Sequence, residues 1–280
     1  MMSTENYSKA KKLINEAGAI IIGAGAGLSS SAGINYGQDK FKENFPELYQ
    51  KYGFTDFYTS SFYKFSSEEE KWSYWAKHIN YLCLNAGKTD VYQNLYQIVK
   101  NKNYFVITTN VDRQFIQNGF DENKVFEVQG ALTKIQCSKA CHNKLYDNTK
   151  LIKEMLKQDK NCHIPSDLVP YCPKCHEPMD VNLRKDEYFV EDTYWHQQSQ
   201  NYENFIKKHK NQKILFIELG AGYNTPGIIR FPFEQMTYQM KDAHLIRVNL
   251  SFNSVPKEIE NKSISFKEDA QSFITHIQNN

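Results

Sequence analysis

From Ser8 to Ala17 apolar residues return every three or four positions, at Ala10, Leu13, Ile14 and Ala17, which is the period of a helix with one buried stripe; Gly18 ends it. The next stretch, AIII, is continuously apolar and runs into GAGAGLSSSAG, which reads as a strand, a glycine loop and the start of a helix. A similar unit recurs downstream. Asp90 to Asn101 places Val91, Leu95, Ile98 and Val99 on one helical face, and the strand YFVITTN follows. This alternation predicts an α/β fold with a parallel sheet and covering helices. ILFIELGAG (214–222) and AHLIRVNL (243–250) add two buried strands, and ISFKEDAQSFITHIQ closes with a short strand and a helix.

Two stretches break the alternation. Residues 36–89 are rich in aromatics and lack strong strand patterns; their clearest element is a helix from about Ser66 to Leu84 through Trp72, Trp75, His78, Ile79 and Leu82. The other stretch follows the strand at 104–110 and carries most of the cysteines. No internal repeat or low-complexity linker divides the chain, so both are expected as insertions between strands of one sheet.

At 280 residues the chain suits one large domain or a domain carrying a smaller inserted one. Its 34 basic and 32 acidic residues nearly cancel, which argues against nucleic acid or an anionic membrane as the main partner and leaves a small polar or dinucleotide ligand open. Apolar runs such as Ala19 to Ile22 and Ile214 to Ile217 fall far short of the ~20 residues of a membrane helix. The opening MMSTENYSKAKKLINEAG has no long apolar segment and no Arg, so neither secretory nor mitochondrial targeting is expected, and a cytoplasmic location is.

Three constellations carry chemistry. Gly23, Gly25 and Gly27 would let backbone amides approach a phosphate, with Ser29 to Ser31 opening a helix whose dipole favours an anion. The dehydrogenase fingerprint GxGxxG is not met, because Leu28 holds the third glycine place counted from Gly23 and Ser30 holds it counted from Gly25; hydride transfer is disfavoured. Cys137-x3-Cys141 and Cys172-x2-Cys175 supply four thiolates in two close pairs, the donor set of a closed, structural Zn2+ site. Cys83 and Cys162 have no partner at useful spacing. The segment that the cysteine pairs enclose lacks the dense basic and aromatic pattern of a nucleic-acid-binding ribbon. The third is TTNVD, where Asn110 and Asp112 lie at the carboxyl end of a parallel strand, facing the crevice in which open α/β sheets bind ligands; an Asn-x-Asp there also serves as a cap or turn.

Taken together, GAGAGLSSSAGI, TTNVD, Val128-Gln129-Gly130, the four cysteines and ELGAG resemble the sirtuin family over nearly the whole chain. The resemblance implies a Rossmann-type NAD-binding domain from residues 1–35, 90–133 and 183–280. It also implies a smaller domain made of a helical module, 36–89, and a zinc-binding module, 134–182. Sirtuin deacylases usually carry His-Gly where this chain has Gln129-Gly130, and a Pro-Asp-Phe-Arg run where it has Asn35-Tyr36-Gly37-Gln38. Glutamine can hold a ribose hydroxyl but cannot take its proton, so ordinary deacylation loses its base.

Gln129, MDVNLRKDEYFVED (179–192) and ELGAGYNTPGIIRFPF (218–233) are similar to one branch, the macrodomain-linked sirtuins. That resemblance implies NAD-dependent transfer of ADP-ribose, with release of nicotinamide, to an acceptor protein. The implied acceptor is a lipoylated carrier of the glycine-cleavage H type, and a macrodomain hydrolase as functional partner removes the mark. An acceptor carboxylate can trap the oxocarbenium-like ribose without a general base, so an amide at position 129 suffices. Asn110, Gln129 and Arg184 are the expected catalytic residues. Gln129 is assigned to the ribose hydroxyls, Asn110 to the nicotinamide ribose or its attacking group, and Arg184 to a carboxylate or phosphate. A surface ion pair of Arg184 with Asp186 or Glu187 is the plain alternative. Gly23, Ala24, Gly25, Leu28 and Ser29 are expected to contact the cofactor, with Asp112 on its carboxamide, Gly220, Gly222 and Asn224 on its phosphates or ribose, and Asn249 at its adenosine end. The competing functions are an NAD-dependent protein-lysine deacylase and an inert nucleotide sensor.

Overall fold

A computed structural model describes residues 2–34 and 40–279; the Asn35 to Gln38 departure lies outside the described residues. In chain order the elements begin with α1 (Met2–Glu16), β1 (Ala19–Ala24) and α2 (Ala26–Ser31). A helical stretch follows: α3 (Phe41–Asn44), α4 (Pro46–Tyr52), α5 (Phe57–Ser60) and α6 (Glu68–Ile79), which continues as a π-helical turn over Asn80–Leu84. Next come α7 (Asp90–Val99), β2 (Tyr104–Thr108), α8 (Gln114–Gln117), β3 (Val125–Glu127), β4 (Gly130–Cys137), β5 (Tyr146–Asp147) and α9 (Thr149–Gln158). The chain ends with β6 (Met179–Leu183), α10 (Thr193–His209), β7 (Ile214–Leu219), α11 (Arg230–Gln239), β8 (Ala243–Val248), β9 (Ser263–Phe266) and α12 (Ala270–Asn279).

Six strands form an all-parallel sheet in the order β3-β2-β1-β7-β8-β9. Every residue of β1, β2 and β7 is buried, as strands covered on both faces require, which is why their sequences run apolar without alternation. Period two sorts them. Ile20, Ile22 and Ala24 join α1, α7 and α12 through Ala10, Ile14, Leu95 and Phe273, while Ala19 and Ile21 join α10 and α11 through Phe205, Ile206, Ile229 and Phe233. Strand order reverses at β1, which has β2 on one side and β7 on the other. That reversal is the switch point where a ligand crevice opens beyond the carboxyl ends.

A smaller antiparallel sheet, β5-β4-β6, carries the cysteines. Its residues Ile135, Met179 and Val181 share one hydrophobic cluster with Phe41, Phe57, Trp72 and Trp75 of the helical stretch. The long helix α6 starts where Ser67 accepts a bond from the Glu70 amide at 3.2 Å, and Glu68, Glu69 and Glu70 complement the positive end of its dipole. The π turn has its own partner in the parallel-sheet domain: Gln117 donates to the Cys83 carbonyl at 2.7 Å. Among the described residues no helix is long and apolar enough to cross a membrane.

Candidate active site

Parallel pairing brings the ends of five strands to one edge. Ala24 lies beside Thr108 and Leu219, Thr108 beside Glu127, and Leu219 beside Val248. The loops leaving these ends hold Gly25, Asn110, Asp112, Gln129, Gly220 and Asn249, far apart in sequence and neighbours here.

The glycines answer first to packing. A Cβ at Gly23 would lie 2.4 Å from Ile229 and 2.5 Å from Phe233, so this glycine lets α11 press against β1. Gly25 donates to the Leu219 carbonyl and Gly27 to the Gly220 carbonyl, both at 3.0 Å. A Cβ on Gly27 or on Gly220, whose φ is +62°, would come within 2.6 Å of the opposite backbone. The two loops are thus joined backbone to backbone across the switch point, with Leu28 buried beneath them and Ala24 at the sheet edge. Gly222 and Asn224 stand exposed on the far loop.

Beneath the first loop four buried polar side chains bond one another. Ser29 Oγ donates to Asp112 Oδ2 at 2.5 Å, and a hydroxyl has only one hydrogen. The Tyr92 hydroxyl, 2.8 Å from Ser29 Oγ, is therefore the donor in that contact. Asn110 Nδ2 donates to Ser29 Oγ and to the Gly25 carbonyl, each at 3.0 Å, while its Oδ1 meets no donor among the described residues. Asp112 also accepts from the Gln114 amide at 3.0 Å. Burial, with Asp112 close by, pushes the Tyr92 hydroxyl well above its ordinary value and keeps it a donor. Tyr92 escapes detection in the sequence because an aromatic on the buried face of α7 looks like core.

On the opposite wall the backbone is pinned and the side chains are less committed. Val128 donates to the Thr108 carbonyl and accepts from the Trp195 indole, both at 3.1 Å, and the Gln129 carbonyl accepts from the Arg184 amide at 3.1 Å. These bonds hold Gln129 in place while its half-buried amide bonds to none of the described residues. Gly130, at φ +91°, cannot carry a side chain: a Cβ would lie 2.2 Å from the Asn182 carbonyl and 2.9 Å from Phe189. The Arg184 guanidinium stacks 4.1 Å from the Phe189 ring centroid and bonds Glu191 at 2.5 Å, a residue outside the Asp186 or Glu187 alternative.

Two charged sets support these walls, and neither was legible beforehand. Arg113, at φ +63°, pairs with Glu127 at 2.5 Å and Glu122 at 2.9 Å. Burial raises Glu127 to about 7 while Arg113 pulls the other way. Behind the Gly220 loop, fully buried Glu218 binds Arg230 at 3.1 Å and Arg247 at 2.8 Å, and both arginines donate to the Ser254 carbonyl. Asn249 ties the same region together, donating to the Ala221 carbonyl at 2.9 Å and accepting from the Ser251 and Phe252 amides.

The thiolate site stands apart, with Cys137 at the end of β4, Cys141 on the turn beyond it, and Cys172 and Cys175 on the turn that precedes β6. The Sγ atoms of Cys137, Cys141, Cys172 and Cys175 all lie within 4.8 Å of one another, with Cys137 to Cys175 at 3.4 Å and Cys141 to Cys172 at 3.6 Å. Tetrahedral Zn2+ with bonds of about 2.3 Å sets its sulfurs roughly 3.8 Å apart, so the set fits that ion. Cys83 and Cys162 lie outside the cluster and are buried. With all four positions taken by protein, a metal held here would leave no open site and would serve a structural role.

A doubly covered parallel sheet, a crevice at its switch point and a separate four-thiolate module define a nucleotide-binding α/β protein with a structural metal domain. Residues 25–215 match the Sir2 family, and the chain belongs to it. It is 38% identical over 275 residues to a protein ADP-ribosyltransferase of Staphylococcus aureus (strain Mu50 / ATCC 700699), covering 97% of this chain and 87% of that one. It is 30% identical over 273 residues to a probable bifunctional ADP-ribose hydrolase/ADP-ribosyltransferase of Fusarium oxysporum f. sp. cubense, covering 93% of this chain but 45% of the relative. Among solved structures, Sir2Tm bound to a propionylated peptide superposes with a TM-score of 0.61 at 19% identity, covering 97% and 96% of the two chains. A Sir2 complex with a p53 peptide and NAD+ superposes at 0.58 and 19% identity, covering 96% of each chain. At these identities the likeness is one of fold.

Proposed function

We propose that this chain is an NAD-dependent protein mono-ADP-ribosyltransferase. The observation that carries the reading is Gln129, an amide on a pinned backbone between the buried Asn110 and Asp112 cluster and Arg184. In this reading the bond from ribose C1 to the nicotinamide nitrogen breaks, and nicotinamide leaves with the electron pair. An acceptor carboxylate then closes on C1 and forms an ester, a step that consumes no proton and needs no base. Asn110 Oδ1 faces the ribose or the incoming group, Gln129 holds the ribose hydroxyls, and Asp112 accepts from the carboxamide of nicotinamide. Arg184 orients the acceptor. Gly220, Gly222 and Asn224 line the phosphates, and Asn249 fixes the loop at the adenosine end.

The finer reading is a lipoylated acceptor of the glycine-cleavage H type, with a macrodomain hydrolase removing the mark. It is supported by Gln129 together with the segments at 179–192 and 218–233. The Fusarium relative's name adds support, since it joins an ADP-ribose hydrolase to a transferase. Intact masses after incubation with NAD test both levels, using an acetyl-lysine peptide and a lipoylated carrier beside its unlipoylated form. A gain of one ADP-ribose on the lipoylated carrier alone is the expected outcome. Loss of acetyl from the peptide without that gain would replace the transferase by a deacylase.

A further inference from the structure

Arg184 is a planar fork with one prong in use. The Phe189 and Trp195 ring centroids lie 4.1 Å and 5.4 Å from its guanidinium carbon, and a carboxylate would meet the group through the N–H bonds along its edge. On that edge Nη2 donates to Glu191 Oε1 at 2.5 Å, while the other carboxylate oxygen lies 3.8 Å from His196 Nε2. The contact is monodentate, and the remaining guanidinium nitrogens have no partner among the described residues. Both side chains are open to solvent, at 38% for Arg184 and 32% for Glu191.

The juxtaposition is built into the loop. Gln136 donates to the Tyr188 carbonyl at 2.7 Å and accepts from the Val190 amide at 3.0 Å. Asn182 donates to the Val190 carbonyl at 3.1 Å and to Gln136 at 2.7 Å. These two buried amides fold residues 184–191 back on themselves, so Glu191 returns to Arg184 beside Gly130, against which Phe189 packs.

We infer that Glu191 is an internal stand-in for the acceptor's carboxylate: it occupies the Arg184 fork until an acidic side chain of the acceptor replaces it. This rests on the transferase reading and narrows the acceptor to a protein presenting a carboxylate. The exchange runs in one direction for a geometric reason. Glu191 engages one nitrogen, whereas an incoming carboxylate can engage two in parallel, the stronger arrangement for this pair of groups. Glu191 thereby sets specificity, since a ligand that cannot take both prongs does not displace it.

Calorimetric titration of the whole protein with glutarate, with uncharged glutaramide as control, reads the exchange without any turnover. Glu191→Gln keeps the shape and removes the competing charge; glutarate should then bind about two- to fivefold tighter, the scale of a half-exposed ion pair. Arg184→Gln should abolish the binding, and adding Glu191→Gln to it should restore nothing. Unchanged or weaker glutarate binding in Glu191→Gln, or a gain that survives without Arg184, overturns the inference. In turnover with the lipoylated carrier, Glu191→Gln should lower KM for the carrier and leave KM for NAD unchanged. Tighter glutarate binding with no ADP-ribose transfer to any protein keeps the fork and defeats the transferase reading; transfer without the glutarate gain does the reverse.

Discussion

The two walls of the crevice differ in how far their polar groups are committed. Around Ser29, Tyr92, Asn110 and Asp112 each donor has a partner inside the protein and the side chains are buried. Across from them the backbone at 128–130 is fixed just as firmly, yet among the described residues the Gln129 amide and the remaining Arg184 prongs meet no partner. A buried, preorganised cluster needs little reorganisation when charge develops next to it, which suits the role proposed for this wall beside the leaving group. A fixed backbone carrying exchangeable side chains suits the role proposed for the other wall, admitting and releasing an acceptor protein.

Asn110→Ala breaks that comparison most severely. It removes the donor to both Ser29 and the Gly25 carbonyl, and with it Oδ1, an acceptor that meets no donor among the described residues. Nicotinamide release should fall by about a hundredfold or more, the scale of losing a preorganised polar group, with roughly 1–3 kcal/mol of stability lost from unpaired buried groups. A rate within tenfold of the parent would place the chemistry elsewhere. Gly130→Ala attacks the other wall. With φ at +91° and the Asn182 carbonyl 2.2 Å from the new Cβ, β4 and β6 cannot keep their pairing there. Urea unfolding should show a loss of about 2–4 kcal/mol, the range of strained, overpacked sites.

The same contrast explains what the sequence discloses. Strands covered on both faces must be apolar throughout, so AIII, YFVIT and ILFIEL announce themselves, and the residues leaving their carboxyl ends follow from the topology of parallel sheets. Cysteine spacing discloses the thiolate site because a tetrahedral ion demands close pairs. β3 is three residues long, too short for a period, and α10 buries aromatics and Gln198 in place of an aliphatic stripe. Tyr92 and Glu191 are hidden for another reason. Each acts through a partner fixed by tertiary folding, at Ser29 sixty-three positions away or across a loop that Gln136 and Asn182 reverse.

Tyr92→Phe is a gentler cut into the closed wall. It removes the bond to Ser29 Oγ and a long 3.5 Å bond from Asn110 Nδ2 but leaves the Asn110 donor to Ser29, so stability should fall by about 1 kcal/mol and nicotinamide release by roughly tenfold. Thermal unfolding beside steady-state turnover measures both. If the rate drops as far as it does in Asn110→Ala, the hydroxyl is more than a support.

Glu127→Gln probes the seam between the walls, and its effect is the smallest because it alters a slope with pH more than a level. Glu127 faces Arg113, Glu122 and Asp112. Burial raises its carboxyl from an ordinary 4.5 to about 7, so between those values the folded state holds a proton that the unfolded chain has released. Stability must then fall as pH rises through that window and level off above it, since the unfolded state binds fewer protons there. Glutamine cannot titrate, so the difference in unfolding free energy between parent and Glu127→Gln should decline from about pH 4.5 to 7, other titrations cancelling in the subtraction. A flat difference would mean that Arg113 holds Glu127 ionised throughout. The seam would then be a fixed ion pair, and pH would act on both walls alike.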